Sequence, residues 1–371
     1  MCKIKIIVGP DSYFDTYIPD NTLSLEKYIS FLDSERNNIL IKYSDERKAT
    51  ILNNKVVVGK TDSYSSFNVG FIQNFLNDLE DFMIYGKGVI LQNPPQKIVD
   101  TIQANYKKNE DYKIIKYEYS QISKKIIRNI KNKLDECILG QERAEKQIIS
   151  SLYELYKNKD KEPLVLMLYG PSGVGKTETA KIISKALEGD LLRIQMSMYK
   201  GNTAFDYIFG SDHNKTSLAK DFLRRENNVI LLDEFGRSNP EILSAFYQMF
   251  DEGVFEDSNY KVDISNSIII CTSNFLSLEG IRQSLGDPIY YRFNEFIKFE
   301  ELNQNTIIKL IKRVIDEIYS SLTKKEREIV GEKDVLYKRY SEESSSFINY
   351  RHINNLIKND VNRQIIEEFF Y

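Results

Sequence analysis

LVLMLYGPSGVGKT, residues 164–177, runs six apolar residues into a glycine-rich turn that closes on Gly-Lys-Thr. Gly170, Gly173 and Gly175 admit backbone conformations closed to residues with a Cβ, so successive N–H groups can face one anion. The segment Glu178 to Leu187 reads as a helix, and its first turn adds unpaired N–H groups and a positive dipole end. A strand before the turn and a helix after it are what a phosphate-binding loop requires, which makes a chance match a poor explanation. The expected cradle is Gly170, Pro171, Ser172, Gly173, Val174, Gly175, Lys176, Thr177 and Glu178, with Lys176 across the β and γ phosphates of a nucleotide and the Thr177 hydroxyl on Mg²⁺.

Two further strands end in polar residues where such a loop needs them. Val229 to Leu232 leads into Asp233-Glu234. Asp233 is expected to reach Mg²⁺, and Glu234 to orient and deprotonate an attacking water. By themselves they are two solvated acids at a strand end; the phosphate loop upstream gives them chemistry. Ser267 to Thr272 ends at Ser273-Asn274, and because ligands of open α/β sheets lie beyond the carboxyl ends of the strands, Asn274 is placed to polarise the same water.

Bulk properties bound the rest. A chain of 371 residues with 42% hydrophobic residues has room for two or three cored domains. A net charge of -3 and a pI near 5.8 advertise no polyanion partner. Three widely spaced cysteines, Cys2, Cys137 and Cys271, fit a reducing compartment, and with only His213 and His352 they do not suggest a zinc site. No 18-residue apolar run and no signal-like start occur, so no membrane is expected and the protein reads as cytoplasmic.

In chain order, strands are expected at residues 3–8, Ile39 to Tyr43, Val56 to Gly59, Val89 to Gln92 and near Lys113 to Tyr119. Among them lie a helix over Asn68 to Tyr85, with Phe71, Phe75, Leu79 and Phe82 on one face, and another opened by Pro94-Pro95. Residues 1–120 thus form a small α/β domain with no chemistry to name. Residues 121–138 read as a connecting helix, basic outside, with Ile122, Ile126, Ile127 and Ile130 as an apolar stripe. Residues 139–299 form the large nucleotide-binding subdomain and 300–371 a helical one.

These motifs in this order resemble the AAA+ ATPases, and among them the Clp family of protein-unfolding machines, over about Ile138 to the C-terminus. The resemblance implies an α/β P-loop sheet with a small helical lid. It places Ile138 and Leu139 beside adenine, GPSGVGKT as Walker A, VILLDE as Walker B and CTSN, ending at Asn274, as sensor 1. Asn239-Pro240 and Glu241 to Phe250 look like the family's next helix, and Gly253 to Asp263 like its hairpin. Arg292, in DPIYYRFNEFIKF, falls at the arginine finger, which implies a homo-oligomeric ring such as a hexamer. Its spacing from Pro288 is one residue shorter than usual. Arg351, in INYRHINNLI, matches sensor 2 by the arginine alone, and His352 beside it reads as a lid packing residue.

One departure bears on output. The stretch FGSDHNKTSLAKDFLRR, residues 209–225, lacks the Gly-aromatic-x-Gly that grips substrate in translocating relatives, and His213 and Lys215 would occupy that tip. The expected function is therefore ATP hydrolysis driving conformational change or assembly on a protein partner chosen by the N-terminal domain. The alternatives are a nucleotide-dependent switch or scaffold of a multi-component system, such as a defence or mobile-element system, and a DNA-linked loader that would use the basic helix at residues 124–133.

Overall fold

The computed structural model describes residues 2–36, 45–66, 69–158, 162–199, 201–211 and 215–370. The expected strand at Ile39 to Tyr43 and His213 lie outside them, as does the side chain of Phe71.

Short, β-branched runs build the first sheet: β1 (Ile4–Val8), β2 (Thr22–Ser24), β3 (Val56–Gly59), β4 (Gly88–Gln92) and β5 (Tyr112–Lys116). All pairings are parallel, in the order β2-β3-β4-β1-β5. A parallel sheet needs cover on its faces. Here the helix Val69–Ile84 presents Phe75, Leu79 and Phe82, all fully buried, to Ile4, Ile6, Val89 and Leu91. Each such aromatic or leucine contributes about 1.5–3 kcal/mol by leaving water.

The second sheet comprises β6 (Leu164–Tyr169), β7 (Leu192–Gln195), β8 (Val229–Asp233), β11 (Ile268–Ser273) and β12 (Glu295–Lys298). Between β8 and β11 the chain makes an antiparallel hairpin, β9 (Val254–Glu256) with β10 (Lys261–Asp263). The sheet is parallel throughout, in the order β12-β6-β11-β8-β7. Every residue of β6, β8 and β11 is buried, which explains why they read as unbroken apolar runs rather than alternating ones. One face takes Ile127, Ile130 and Leu134 of the helix Lys124–Cys137 and Ala144, Ile148 and Leu152 of the helix Glu142–Lys157. The other takes an aromatic cluster in which Phe235 lies 5.4 Å from Phe246 and 5.8 Å from Phe250, centroid to centroid.

That cluster corrects one expectation. The helix over Glu241 to Phe250 is not continuous: Pro240–Leu243 is followed by a 3-10 turn at Ser244–Phe246 and a new helix at Tyr247–Glu252. The tightened turn rotates Phe246 and Phe250 together onto Phe235.

Beyond β12 the chain is helical, with Gln304–Ser321, Lys324–Val330, Lys333–Glu342 and Tyr350–Phe370 packed around Ile311, Val314, Tyr340, Ile353 and Ile357. His352 is exposed, and its ring packs from outside against that of Phe347, 5.7 Å away, in the helical segment where a lid packing residue is expected. Its helix turns Ile353 and Ile357 inward. Among the described residues no helix is long and apolar enough to cross a membrane.

Candidate nucleotide site

The turn after β6 is shaped by close approach. Gly170 has φ +129°, and a Cβ there would lie 2.2 Å from the Phe299 carbonyl oxygen, so no other residue fits beside the end of β12. The loop then runs through 171–175 into the helix Lys176–Ala186, whose first residue points back across the loop. The buried Lys176 ammonium donates to Gly170 O at 2.7 Å, Pro171 O at 2.6 Å and Asn274 Oδ1 at 3.2 Å. None of these acceptors carries a full charge. Burial therefore pushes the ammonium down to about 8, against the opposing pull of Asp233.

Because β11 lies between β6 and β8, the carboxyl ends of three strands meet at one point. Asp233 closes β8, and Glu234 follows it in the left-handed region at φ +57°, an uncommon conformation for a residue with a side chain. Thr272 of β11 holds both: its hydroxyl donates to Asp233 Oδ1 at 2.5 Å and accepts from the Glu234 N–H at 2.8 Å. Arg193 of β7 donates through Nε and Nη2 to Asp233 Oδ2, at 2.9 and 2.5 Å. The buried carboxylate is thus fully engaged, with a cation already beside it.

These groups border a cleft of about 760 Å³. Of the residues expected from sequence, Ser172 through Glu178, Asp233, Glu234, Asn274, Ile138, Leu139 and Arg351 all line it. Gly170 and Pro171 act through their carbonyls on Lys176. Arg292 stands apart: its Nε donates to Asp251 Oδ2 at 2.8 Å, and its guanidinium lies 4.5 Å over the Tyr247 ring.

Sequence reasoning missed several residues. Arg193 carried no motif, Thr272 lay inside CTSN with no role of its own, and only strand pairing puts the two beside Asp233. Arg313, Glu317 and Tyr350 reach the cleft from the helical segment after β12. Arg313 donates to Cys137 O at 3.0 Å and to Glu136 O, fastening that segment to the end of the connecting helix, and Tyr350 donates to Glu317 Oε2 at 3.3 Å.

A parallel sheet in this order, a glycine loop opening a helix under a buried lysine, and a helical cap across the cleft define a nucleotide-binding AAA+ module. Residues 161–324 match the family described as AAA domain (Cdc48 subfamily), and the module is homologous to those of Clp-type AAA+ ATPases. The chain is 30% identical over 224 residues to the ATP-dependent Clp protease ATP-binding subunit ClpL of Staphylococcus aureus strain RF122, an alignment covering 54% of this chain and 32% of that protein. It is 27% identical over 341 residues to ClpL of strain USA300, covering 83% and 48%. The chain therefore spans about half the length of these relatives or less. Its fold is like that of Hsp104 solved with ATPγS and FITC casein (TM-score 0.55, 17% identity, 92% of this chain and 69% of that one). It is also like that of the Saccharomyces cerevisiae Hsp104-ADP complex (TM-score 0.51, 20% identity, 66% and 49%).

Proposed function

We propose that the chain is a Clp-like ATPase that hydrolyses ATP with Mg²⁺ and uses the cycle to change shape or assembly on a protein partner. The carrying observation is the meeting of Lys176, Asp233, Glu234 and Asn274 in one cleft capped from after β12. The donor set fits Mg·ATP: a buried ammonium, a loop of N–H donors, a hydroxyl at Thr177 and a buried carboxylate at Asp233. Bound Mg²⁺ would supply charge to the β and γ oxygens, held by Thr177 and Asp233. Lys176 exchanges its carbonyl partners for phosphate oxygens. Glu234, whose backbone is pinned by Thr272, accepts the proton of the attacking water, and Asn274 orients that water. Ile138 and Leu139 flank the base, and Arg351 reports its occupancy to the lid.

Arg292 faces away from its own cleft, so in this reading it serves the site of a neighbouring copy and the working form is a ring. Partner choice belongs to the N-terminal domain, and the setting is the cytoplasm. A second reading, a nucleotide switch that assembles without threading, is favoured by the stretch 209–225, which offers no glycine-flanked aromatic.

The test is the solution mass of the full chain without nucleotide, with ADP, and with ATP in the Glu234→Gln variant. A nucleotide-driven oligomer is expected; a monomer under every condition would remove the homo-oligomeric ring and mean that a different partner completes the site.

A further inference from the structure

The first sheet repeats the second. In order of appearance along the chain, both run fifth, first, fourth, third, second: β5-β1-β4-β3-β2 and β12-β6-β11-β8-β7. The registers also correspond. Tyr117 N–H donates to Val8 O at 2.8 Å, as Phe299 N–H donates to Tyr169 O at 2.8 Å. A Cβ on Gly9, at φ +154°, would lie 2.6 Å from Tyr117 Cβ, as one on Gly170 would lie 2.2 Å from Phe299 O. Gly9 therefore stands where Gly170 stands. Gln92 pairs with Ile7 as Thr272 pairs with Leu168, and Gly59 pairs with Leu91 as Leu232 pairs with Cys271. Lys60 and Thr61 then occupy the places of Asp233 and Glu234. The hydrogen bonding agrees: Thr61 N–H donates to Gln92 Oε1 at 3.2 Å, as Glu234 N–H donates to Thr272 Oγ1 at 2.8 Å.

Against that correspondence the differences carry chemistry. Between Gly170 and its helix lies the loop 171–175, whereas the helix Asp11–Asp15 follows Gly9 after Pro10 alone, leaving no backbone cradle and no lysine. Asn93 takes up both polar groups of Gly9, accepting from its N–H and donating to its carbonyl at 2.9 Å each, where Gly170 O instead receives Lys176. Lys60 puts an ammonium, paired with Asp15 at 2.8 Å, where the metal-binding carboxylate would be. Thr61 offers no base. Ligands of such sheets lie beyond the carboxyl ends of the strands, and that mouth is contacted by the same chain. Arg224 bonds Asp62 at 2.5 Å with Asp11 4.0 Å away, and Gln96 N–H donates to Asn259 O in the β9–β10 turn at 2.8 Å.

We propose that residues 4–118 are a second copy of the nucleotide-binding sheet, stripped of its chemistry, whose ligand crevice has become the dock for the helix Leu218–Arg224 and the β9–β10 turn. The chain then carries one nucleotide, and its first sheet brackets the helix that follows residues 210–216. The one-nucleotide count rests on the ATPase reading; the dock does not.

Equilibrium dialysis of the full chain against labelled ADP with Mg²⁺ counts the sites. One ADP per chain is expected, and none in Lys176→Ala. Two per chain, or one surviving in Lys176→Ala, would overturn the proposal; none in wild type would sink the ATPase reading while agreeing with a first copy that cannot bind. The dock is read by hydrogen exchange at Leu218–Arg224. Arg224→Asp should speed it about five-fold, and the swap Arg224→Asp with Asp62→Arg should restore protection. Unchanged exchange in the single variant would remove the dock.

Discussion

Lys176 is a cation held among carbonyl oxygens, which gives the site a pH signature. Below about pH 8 the lysine is charged in the folded and unfolded chain alike, and the full cost of burying it is present. Between about 8 and the ordinary lysine value of 10.5, the unfolded chain keeps the proton and the folded one releases it, so the stability of the ligand-free protein rises with pH across that window. A polyphosphate reverses the shift by supplying negative charge. ATP binding at pH 9 should therefore take up nearly one proton, and at pH 7.5 much less, as read by calorimetry in buffers of different ionisation enthalpy. Equal uptake at the two values would mean that Lys176 is charged throughout. Arg193 makes a second prediction, because in the proposed site its guanidinium would have to yield Asp233 to Mg²⁺. Its side chain is 48% exposed, and such pairs are worth ~0.2–1 kcal/mol. Arg193→Ala should lower the Mg²⁺ concentration at half-maximal nucleotide binding by up to about five-fold; a rise would show that Arg193 helps the metal instead of competing with it.

At the scale of elements, the site depends on the join between β12 and the helix Glu142–Lys157. Gln141, buried at that join, donates to Glu300 O and accepts from Glu300 N–H, both at 2.9 Å, and so fixes the end of β12 beside Gly170. Gln141→Ala should cost about 1–3 kcal/mol, measured by urea unfolding, because two backbone groups lose their partner. A loss near zero would mean that water replaces the amide at no cost. The sequence made much of this level legible. The buried runs of β6, β8 and β11, with Gly-Lys-Thr, Asp-Glu and Asn at their ends, announce strands and their chemistry together. Strand order has no such local signal. Arg193 and Thr272 matter only because β7 and β11 flank β8, and Arg313 only because its helix folds back on Glu136 and Cys137. The broken helix at Ser244–Phe246 was likewise hidden, since it answers to Phe235 across the core. In the first sheet, the missing loop after Gly9 removed the one motif by which the repeat could be read.

For the whole molecule, the account requires chemistry shared between copies. Arg292 is tied to Asp251 and Tyr247, away from its own cleft, a position suited to a neighbour. Mixing inactive Arg292→Ala and Lys176→Ala subunits in equal amounts should restore about one interface in four, because each competent site needs a lysine from one copy and an arginine from the next. No recovery in co-assembled mixtures would assign Arg292 a structural role. The central claim is that the cleft hydrolyses ATP, and it is tested most directly by measuring phosphate release and ATP binding together in the wild-type chain and in Glu234→Gln. The account predicts sustained release by the wild type and, in the variant, retained binding with release reduced at least about a hundred-fold. Equal release from both proteins would contradict it.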